Sequence, residues 1–210
     1  MHGPTDADGE TLPEPPRARL ATLVLCDLVD PPEGTDAGDP TQLARTRRHD
    51  DFVRGLLQAH AGTEVDKADG FLLLFERPSQ ALAFALDYRR EAAVAIGDDP
   101  RAACVRAAIH VGEVLTWPST PEARQRGARA NTVEGLAKPV AARLFKLARP
   151  GQILLSDVAH GLLRRSAGSD ARLRWRFHGH WALKGLAAPM AVLEVGEFST
   201  AVTDEGESDM

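Results

Sequence analysis

Several features that would place the chain in a specialised structural class are missing from the sequence. Only two cysteines occur, Cys26 and Cys104, and both lie inside apolar runs. This pattern predicts reduced core thiols rather than a disulfide framework or a zinc site. No stretch of about 18 apolar residues is present, so no membrane-spanning helix is predicted. The first residues lack the basic and then apolar pattern of a secretory signal, and we therefore expect a cytoplasmic protein.

Aromatic residues are also scarce, at 5% of the chain, which disfavours the stacking surfaces that nucleic-acid-binding proteins use. Charge is distributed unevenly between the two halves of the chain. Residues 17–100 carry a net charge of −5, and residues 101–185 carry a net charge of +10. Such a division is compatible with two halves that meet across a dimer interface or around a charged ligand, and equally with arginines scattered on solvated faces.

The chain is predicted to form one domain over residues 17–196, between a disordered leader over 1–16 and an acidic disordered tail over 197–210. The apolar periodicity predicts an α+β fold with a mixed β-sheet and helices packed mainly on one face. The predicted strands cover residues 19–27, 63–67, 71–75, 103–114, 152–156, 173–181 and 189–195, the predicted helices cover residues 41–61, 78–96, 136–147 and 157–163, and residues 115–134 are predicted to be an irregular arm.

Two carboxylates fall where a metal site could form. Asp27 ends the first apolar strand, and Asp69 occupies the turn of the predicted hairpin beside Gly70. Carboxylates at the ends of adjacent strands can share a hard cation such as Mg²⁺, which prefers oxygen ligands. The alternative interpretation is that Asp27 caps a loop and that Asp69 fills an ordinary Asp-Gly turn.

Five sequence blocks carry a resemblance to a known family. They occur in the order LVLCDLVD, DGFLLLFERPSQALAFALDY, VRAAIHVGEV, GLAKPVAARLFKLARPGQILLSD and WALKGLAAPMAVLEVG. Together they resemble the class III nucleotidyl cyclase domain, the adenylate and guanylate cyclase family, over about residues 20–195. The chain is also similar to the cyclase-type module at the front of some long bacterial proteins near peptide-modification genes. The resemblance implies a ferredoxin-like class III cyclase fold.

The resemblance also implies an activity and a set of site residues. Members of this family are homodimers that convert a nucleoside triphosphate to a 3′,5′-cyclic nucleotide and pyrophosphate. Two Mg²⁺ or Mn²⁺ ions would be held by Asp27, Asp69 and the carbonyl of Leu28. The other protomer would supply Arg143 to the α-phosphate and Lys184 to the terminal phosphates.

The sequence departs from the family pattern at two places. Pro139 stands where the family usually has an asparagine that orients the ribose, and Lys138 is the nearest residue that could replace it. Residues 30–33, Asp-Pro-Pro-Glu, follow the first metal aspartate, where the family usually offers backbone N–H groups to the triphosphate. Both departures predict weaker catalysis, and they keep open the alternative of a degenerate cyclase domain that signals through dimerisation or nucleotide binding.

The resemblance also bears on which base the protein would recognise. The family's base-reading lysine aligns with Val65, and Lys67 lies two residues further along the same predicted strand. Because alternate residues of a strand share a face, Lys67 is predicted to replace it. The partner position aligns with Thr132, and a lysine with a threonine favours adenine, so ATP is the expected substrate. A ferredoxin-like binding module without nucleotide is the third possibility.

Overall fold

A computed structural model describes residues 16–29, 40–68, 70–99, 104–129, 131–166 and 172–197. Apart from their boundary residues, the expected leader and tail lie outside these ranges. No helix within the described ranges has the length and apolar character needed to cross a bilayer. The elements are β1 (Arg17–Leu28), α1 (Pro40–Ala59), β2 (Thr63–Lys67), β3 (Phe71–Phe75), α2 (Pro78–Ile96), β4 (Val105–Pro118), α3 (Pro121–Gln125), β5 (Asn131–Glu134), α4 (Ala137–Phe145), β6 (Ile153–Ser156), α5 (Asp157–Ser166), β7 (Leu173–Trp181) and β8 (Met190–Glu197).

The strands form a single mixed sheet in the order β2-β3-β1-β4-β6-β8-β7, with β5 paired to the end of β4. Only the β4–β6 pairing is parallel among the described strands. The elements β1 to β4, with α1 and α2, form the βαββαβ unit of ferredoxin-like folds. The predicted α+β class and mixed sheet are therefore confirmed.

The two faces of the sheet are covered unequally. Val24 and Cys26 of β1 belong to the larger apolar core, which packs against α1, α2 and α5. Leu23, directly before Val24, points to the opposite face, where Ala141 of α4 lies in the same cluster. Helices therefore pack mainly on one face, as predicted. Both cysteines are buried and unpaired, which agrees with reduced core thiols.

The prediction of an irregular arm over residues 115–134 is wrong. β4 continues to Pro118 and pairs with β5, so that Trp117 lies opposite Thr132. The short helix α3 connects the two strands, and the hydroxyl of Thr120 caps it by accepting a hydrogen bond from the N–H of Ala123 at 3.2 Å. Pro118 and Pro121 argue against a strand when the local sequence is read alone. The pairing of β4 with β5 nevertheless forms a two-stranded β-ribbon here.

A second correction concerns the end of α1, because the helix was predicted to continue to residue 61, directly before Gly62. The helix ends at Ala59, and Ala61 rather than Gly62 adopts the left-handed conformation, with φ 53°. Gly62 is needed for a different reason, because a Cβ at this position would collide with the side chains of Leu57 and Phe75. The glycine therefore permits close packing of α1 on β3.

A buried histidine lies under the end of β1. His49 of α1 is 3% exposed, and its Nε2 lies 2.7 Å from the hydroxyl oxygen of Tyr88 in α2. Its ring also packs beside Phe71. Burial lowers the pKa of His49 from its ordinary value of 6.5 to about 4, because the imidazolium form would lose its hydration. His49 is therefore neutral in the folded protein at pH 7.

We expect the free energy of unfolding to fall as pH drops from about 6.5 to about 4. In this range His49 is protonated in the unfolded chain but stays neutral in the folded protein, so acid favours the unfolded state. The full contribution is present above pH 6.5, and its loss by pH 4 is roughly 3 kcal/mol. Urea unfolding across this range measures the change. His49→Gln, which cannot titrate, should show a correspondingly weaker pH dependence, and parallel curves for the two proteins would contradict this expectation.

Candidate active site

Asp27 lies near the end of β1, in a small cleft of about 80 Å³ at the edge of the sheet. Its Oδ2 is 3.4 Å from Nη2 of Arg106, the residue directly opposite on β4. Arg106 is itself anchored, because its Nη1 donates to the carbonyl of Ala148 at 3.3 Å and its guanidinium lies over the ring of Phe145. The carboxylate of Asp27 therefore faces a fixed positive charge as well as the cleft.

The hairpin turn between β2 and β3 approaches Asp27 closely. A Cβ built on Gly70 would be 2.8 Å from the carbonyl oxygen of Cys26 and 3.2 Å from Cβ of Asp27. Only glycine permits this contact between the turn and the end of β1. Asp69, the second predicted metal ligand, lies outside the described residues, and its neighbour Gly70 contacts Asp27.

Gly70→Ala should disturb this contact, because the added methyl group meets a backbone carbonyl that cannot rotate away. We expect the free energy of unfolding to fall by about 1–3 kcal/mol, as in other overpacked sites. Gly55→Ala is the matched control, since a Cβ at Gly55 meets nothing within 4 Å and the position is exposed in α1. Denaturant unfolding of both variants measures the difference, and equal stability of the two would contradict the close approach.

The cleft offers oxygen atoms of the kind that a hard cation prefers. Leu28 and Asp50 line it together with Asp27, and Oδ1 of Asp50 is buried without a hydrogen-bond partner. Among the described residues, no group of three or more His, Cys, Asp and Glu side chains is gathered closely enough to bind a metal ion. Asp27 and the Leu28 carbonyl nevertheless supply oxygen donors, the type of ligand that a divalent ion such as Mg²⁺ prefers.

The prediction that Lys67 shares a strand face with Val65 is wrong. The pairing of β2 with β3 shifts register between Glu64 and Asp66, which places a bulge at Val65. Val65 packs into the core on the α4 face, whereas Nζ of Lys67 lies 2.9 Å from Oδ2 of Asp50 in α1. The bulge interrupts the alternation of side chains, and it turns Lys67 into the Asp27 cleft.

Thr132, the second residue predicted to contact the base, does not line the Asp27 cleft. Thr132 is a half-buried residue of β5 opposite Trp117, and β5 contacts β2. Val65 and Trp117 line a cleft of about 360 Å³ in this region. At its side, Arg129 is paired with Glu64 at 3.1 Å. The structure thus brings Val65, rather than Lys67, towards β5.

The turn that carries Lys184 lies next to Arg143, the other predicted phosphate-binding cation. Arg143 is in the last turn of α4, and Lys184 is an exposed residue of the β7–β8 connection. A Cβ at Gly185, which has φ 81°, would be 3.3 Å from Nη1 of Arg143. The glycine therefore lets the turn that carries Lys184 pack against the guanidinium of Arg143.

Lys138 is engaged within its own chain. Its Nζ donates to the carbonyl of Val133 at 2.8 Å and to Oε1 of Glu134 at 3.1 Å. Pro139, the third residue of α4, lies in the first turn, where a missing backbone N–H is tolerated. The lysine connects the start of α4 to β5.

Sequence reasoning missed Asp50, which lines the Asp27 cleft, and Arg106, which lies opposite Asp27 on β4. Arg106 faces Asp27 because of the register between β1 and β4, which joins residues far apart in the chain. Asp50 was indistinguishable from the other charged residues of α1. An acid at the end of a strand and an arginine in the neighbouring strand would have been a signal only if their pairing had been known.

No protein-family model matches the sequence, and no curated protein matches it. Solved structures do match. The adenylyl cyclase CyaB from P. aeruginosa is 16% identical, with a TM-score of 0.69, and the match covers 88% of this chain and 97% of that one.

Two further solved structures give the same result. The adenylate/guanylate cyclase/hydrolase from Silicibacter pomeroyi is 22% identical, with a TM-score of 0.64 over 85% of this chain and 97% of that one. The guanylate cyclase domain of RhGC from Catenaria anguillulae, solved in complex with GTP, is 14% identical, with a TM-score of 0.67 over 86% of this chain and 98% of that one. The chain therefore has the fold of the class III nucleotidyl cyclase domains.

Proposed function

We propose that this protein is a nucleotidyl cyclase that converts a nucleoside triphosphate to a 3′,5′-cyclic nucleotide and pyrophosphate. The expected substrate is ATP. The observation that carries the proposal is the packing of Arg143 against the Lys184–Gly185 turn. The turn that carries the cation Lys184 packs there against the guanidinium of Arg143, on a fold that solved cyclase domains share. Such a pair suits a triphosphate, whose negative charge grows on the transferred and leaving groups during the reaction.

Asp27, Asp69 and the Leu28 carbonyl are the proposed ligands of two divalent ions, Mg²⁺ or Mn²⁺. When bound, such ions lower the pKa of a ribose 3′-hydroxyl and neutralise phosphate charge. Oδ2 of Asp27 lies 3.4 Å from Nη2 of Arg106, and this anchored positive charge fixes the orientation of the carboxylate. Arg106 is a positioning residue in this scheme.

Arg143 is the proposed partner of the α-phosphate, and Lys184 that of the β- and γ-phosphates. Arg143 presents a planar set of donors that suits a phosphate, whereas the exposed Lys184 can follow the departing pyrophosphate. The Lys67 ammonium, in the Asp27 cleft, is a third candidate for a phosphate contact. Thr132 is retained as the proposed base contact, with adenine as the expected base.

The complete site is proposed to form between two copies of the chain. Asp27 lies in the half of net charge −5, and Arg143 and Lys184 lie in the half of net charge +10. A twofold dimer that places the acidic half of each protomer against the basic half of the other forms two identical sites. A cytoplasmic location is proposed with it, because the nucleotide substrate is found there.

The proposal is tested by incubating the purified chain with ATP, GTP, CTP and UTP in the presence of Mn²⁺ and identifying the products by mass spectrometry. We expect 3′,5′-cyclic AMP with stoichiometric pyrophosphate. A different cyclic nucleotide would correct the base but keep the reaction. Hydrolysis products alone, without any cyclic nucleotide, would exclude cyclase activity.

A second candidate function is a degenerate cyclase domain that binds nucleotide or dimerises without turnover. Two observations favour it: Pro139 offers no donor to a ribose, and the ammonium of Lys138 is held by Val133 and Glu134. The two candidate functions predict different effects on turnover when an asparagine is restored at position 139. Pro139→Asn should raise a slow rate in the enzyme and leave the degenerate domain at background.

Lys138→Ala should lower kcat by roughly tenfold or more if Lys138 orients the ribose, which corresponds to about 1.4 kcal/mol. Glu134→Gln is the matched variant, because it weakens the hold on Lys138 without removing the ammonium. We expect Glu134→Gln to keep or raise kcat. An equal loss in both variants, accompanied by reduced stability, would assign Lys138 a purely structural role between β5 and α4.

A further inference from the structure

A pocket of about 620 Å³ lies between the end of α4, the start of β6 and the edge strand β7. None of the described residues proposed above for turnover lines it. Its walls carry Arg149, Gln152, Phe177, His178 and Trp181. This volume falls within the range of small-molecule sites, about 300–1,000 Å³, and the mixture of aromatic and polar side chains is typical of them.

A buried carboxylate organises the polar wall of this pocket. Glu194 of β8 is 2% exposed, and its Oε2 accepts hydrogen bonds from Nε2 of His178 at 2.7 Å and from Nε2 of Gln152 at 3.1 Å. Gln152 in turn accepts a hydrogen bond from the backbone N–H of Arg149 at 2.9 Å. Burying a carboxylate costs free energy unless its oxygens accept hydrogen bonds. The two hydrogen bonds therefore stabilise buried Glu194, and they also fix the side chains of His178 and Gln152.

The hydrogen bond to Glu194 fixes the ring of His178 at the pocket wall. Because Nε2 faces a carboxylate, it carries the ring proton, and Nδ1 is the second polar atom of the ring. Within the described part of the chain, Nδ1 has no hydrogen-bond partner. A carboxylate that holds one imidazole nitrogen fixes the ring and leaves the other nitrogen available to a ligand, and His178 lines the pocket.

The aromatic wall is built by an irregularity in β7. The pairing of β7 with β8 shifts register between Phe177 and His180, and Gly179 there has φ 89°. Trp181 is fixed by donation from its Nε1 to the carbonyl of His178 at 3.0 Å. Phe177 is nevertheless 57% exposed and Trp181 44% exposed. A bulge that leaves two large rings exposed beside a pocket provides surfaces for a planar ligand.

We propose that this pocket is a second nucleotide site, separate from the proposed catalytic residues. The base would stack on Trp181 and Phe177, and the phosphate would lie near the guanidinium of Arg149. His178 would contact the sugar or the phosphate. Stacking of a base on an aromatic ring is strong and tolerant of base identity. A site of this kind would make the protein sensitive to a nucleotide that it does not transform.

The test uses the full chain with Asp27→Asn and Arg143→Ala combined, so that the proposed catalytic site is disabled. AMP, 3′,5′-cyclic AMP, adenosine and inorganic phosphate serve as probes in isothermal titration calorimetry. We expect AMP or cyclic AMP to bind to this double variant with an affinity close to that of the unmodified chain. Adenosine and phosphate alone should each bind at least tenfold more weakly.

Single variants in the same background locate the binding. Trp181→Ala and Arg149→Gln should each weaken nucleotide binding at least fivefold, the lower end of what one stacked base contributes. Glu194→Gln should weaken it by a smaller factor, because His178 loses its fixed orientation. Arg165→Gln, an exposed arginine in the last turn of α5, is the matched control and should have no effect.

Several outcomes would overturn the proposal. Binding that disappears in the double variant would assign all nucleotide affinity to the catalytic site. Phosphate that binds as tightly as AMP, with no effect of Trp181→Ala, would reduce the pocket to an anion site. Conversion of a dimer to a monomer by Trp181→Ala, with unchanged nucleotide affinity, would show that a second copy of the chain covers this wall.

Discussion

Asp27→Asn is expected to abolish cyclic nucleotide formation, with a loss of roughly 10³-fold or more in kcat, about 4 kcal/mol of transition-state stabilisation. The amide keeps the shape of the side chain but loses the negative charge on which a divalent ion depends. Stability should change little, because the asparagine can still accept a hydrogen bond from Arg106. The measurement is initial rate against Mn²⁺ concentration, together with a denaturation curve.

Asp66→Asn is the matched control for this prediction. Asp66 lies on the adjacent strand β2, its side chain is 62% exposed, and it pairs with Arg129 on the surface. Its replacement should leave the rate unchanged. Direct binding of Mn²⁺ in the presence of nucleotide gives a readout that does not depend on turnover, and it should weaken in Asp27→Asn alone. Full activity in Asp27→Asn would exclude the metal role proposed for this residue.

The parts of the fold that could be predicted from the sequence are those with strong local signals. The bounds of β2, β3 and α2 were predicted residue for residue. The Asp-Gly turn separates the two strands, Pro78 starts the helix, and Gly97, with φ 83°, ends it. Each of these signals acts within a few residues, so no knowledge of the tertiary structure was required.

Features that depend on strand pairing were missed for a physical reason. The bulge at Val65 arises from how β2 meets β3, and the local sequence contains no glycine to announce it. It places Lys67 on the sheet face opposite to Val65, so the predicted strand geometry is wrong, while the role of Lys67 as a base contact stays a prediction. The extension of β4 to Pro118 likewise depends on β5, which contributes the partner for Trp117.

In the candidate site, too, some residues could be identified from short sequence blocks, whereas others depend on strand pairing. Asp27, Arg143 and Lys184 could be singled out because short blocks resemble a family, and the roles of these residues remain predictions. The cation opposite Asp27 could not be found, because the register of β1 with β4 pairs Asp27 with Arg106 across 79 positions of sequence. A charged neighbour so far away in the sequence can be identified only when the register of the two strands is known.

Arg143→Ala should lower activity by roughly 10²–10³-fold, the usual effect of losing one charge-stabilising donor. Mixed with Asp27→Asn, however, it should regain activity. In a heterodimer of the two variants, one of the two sites combines an intact Asp27 with an intact Arg143. Because half of the dimers in an equal mixture are heterodimers and each has one working site, about a quarter of the unmodified activity is expected.

The controls for this mixing experiment follow from the proposed division of the chain. Asp27→Asn mixed with Asp69→Asn should stay inactive, since both changes damage the metal-binding half of each site. Arg143→Ala mixed with Lys184→Ala should stay inactive for the same reason in the cationic half. Exchange of subunits is verified by co-purification through a tag on one variant. If exchange occurs and the Asp27→Asn and Arg143→Ala proteins still fail to complement, each site is built within a single chain, because only then does no wild-type site form in the heterodimer.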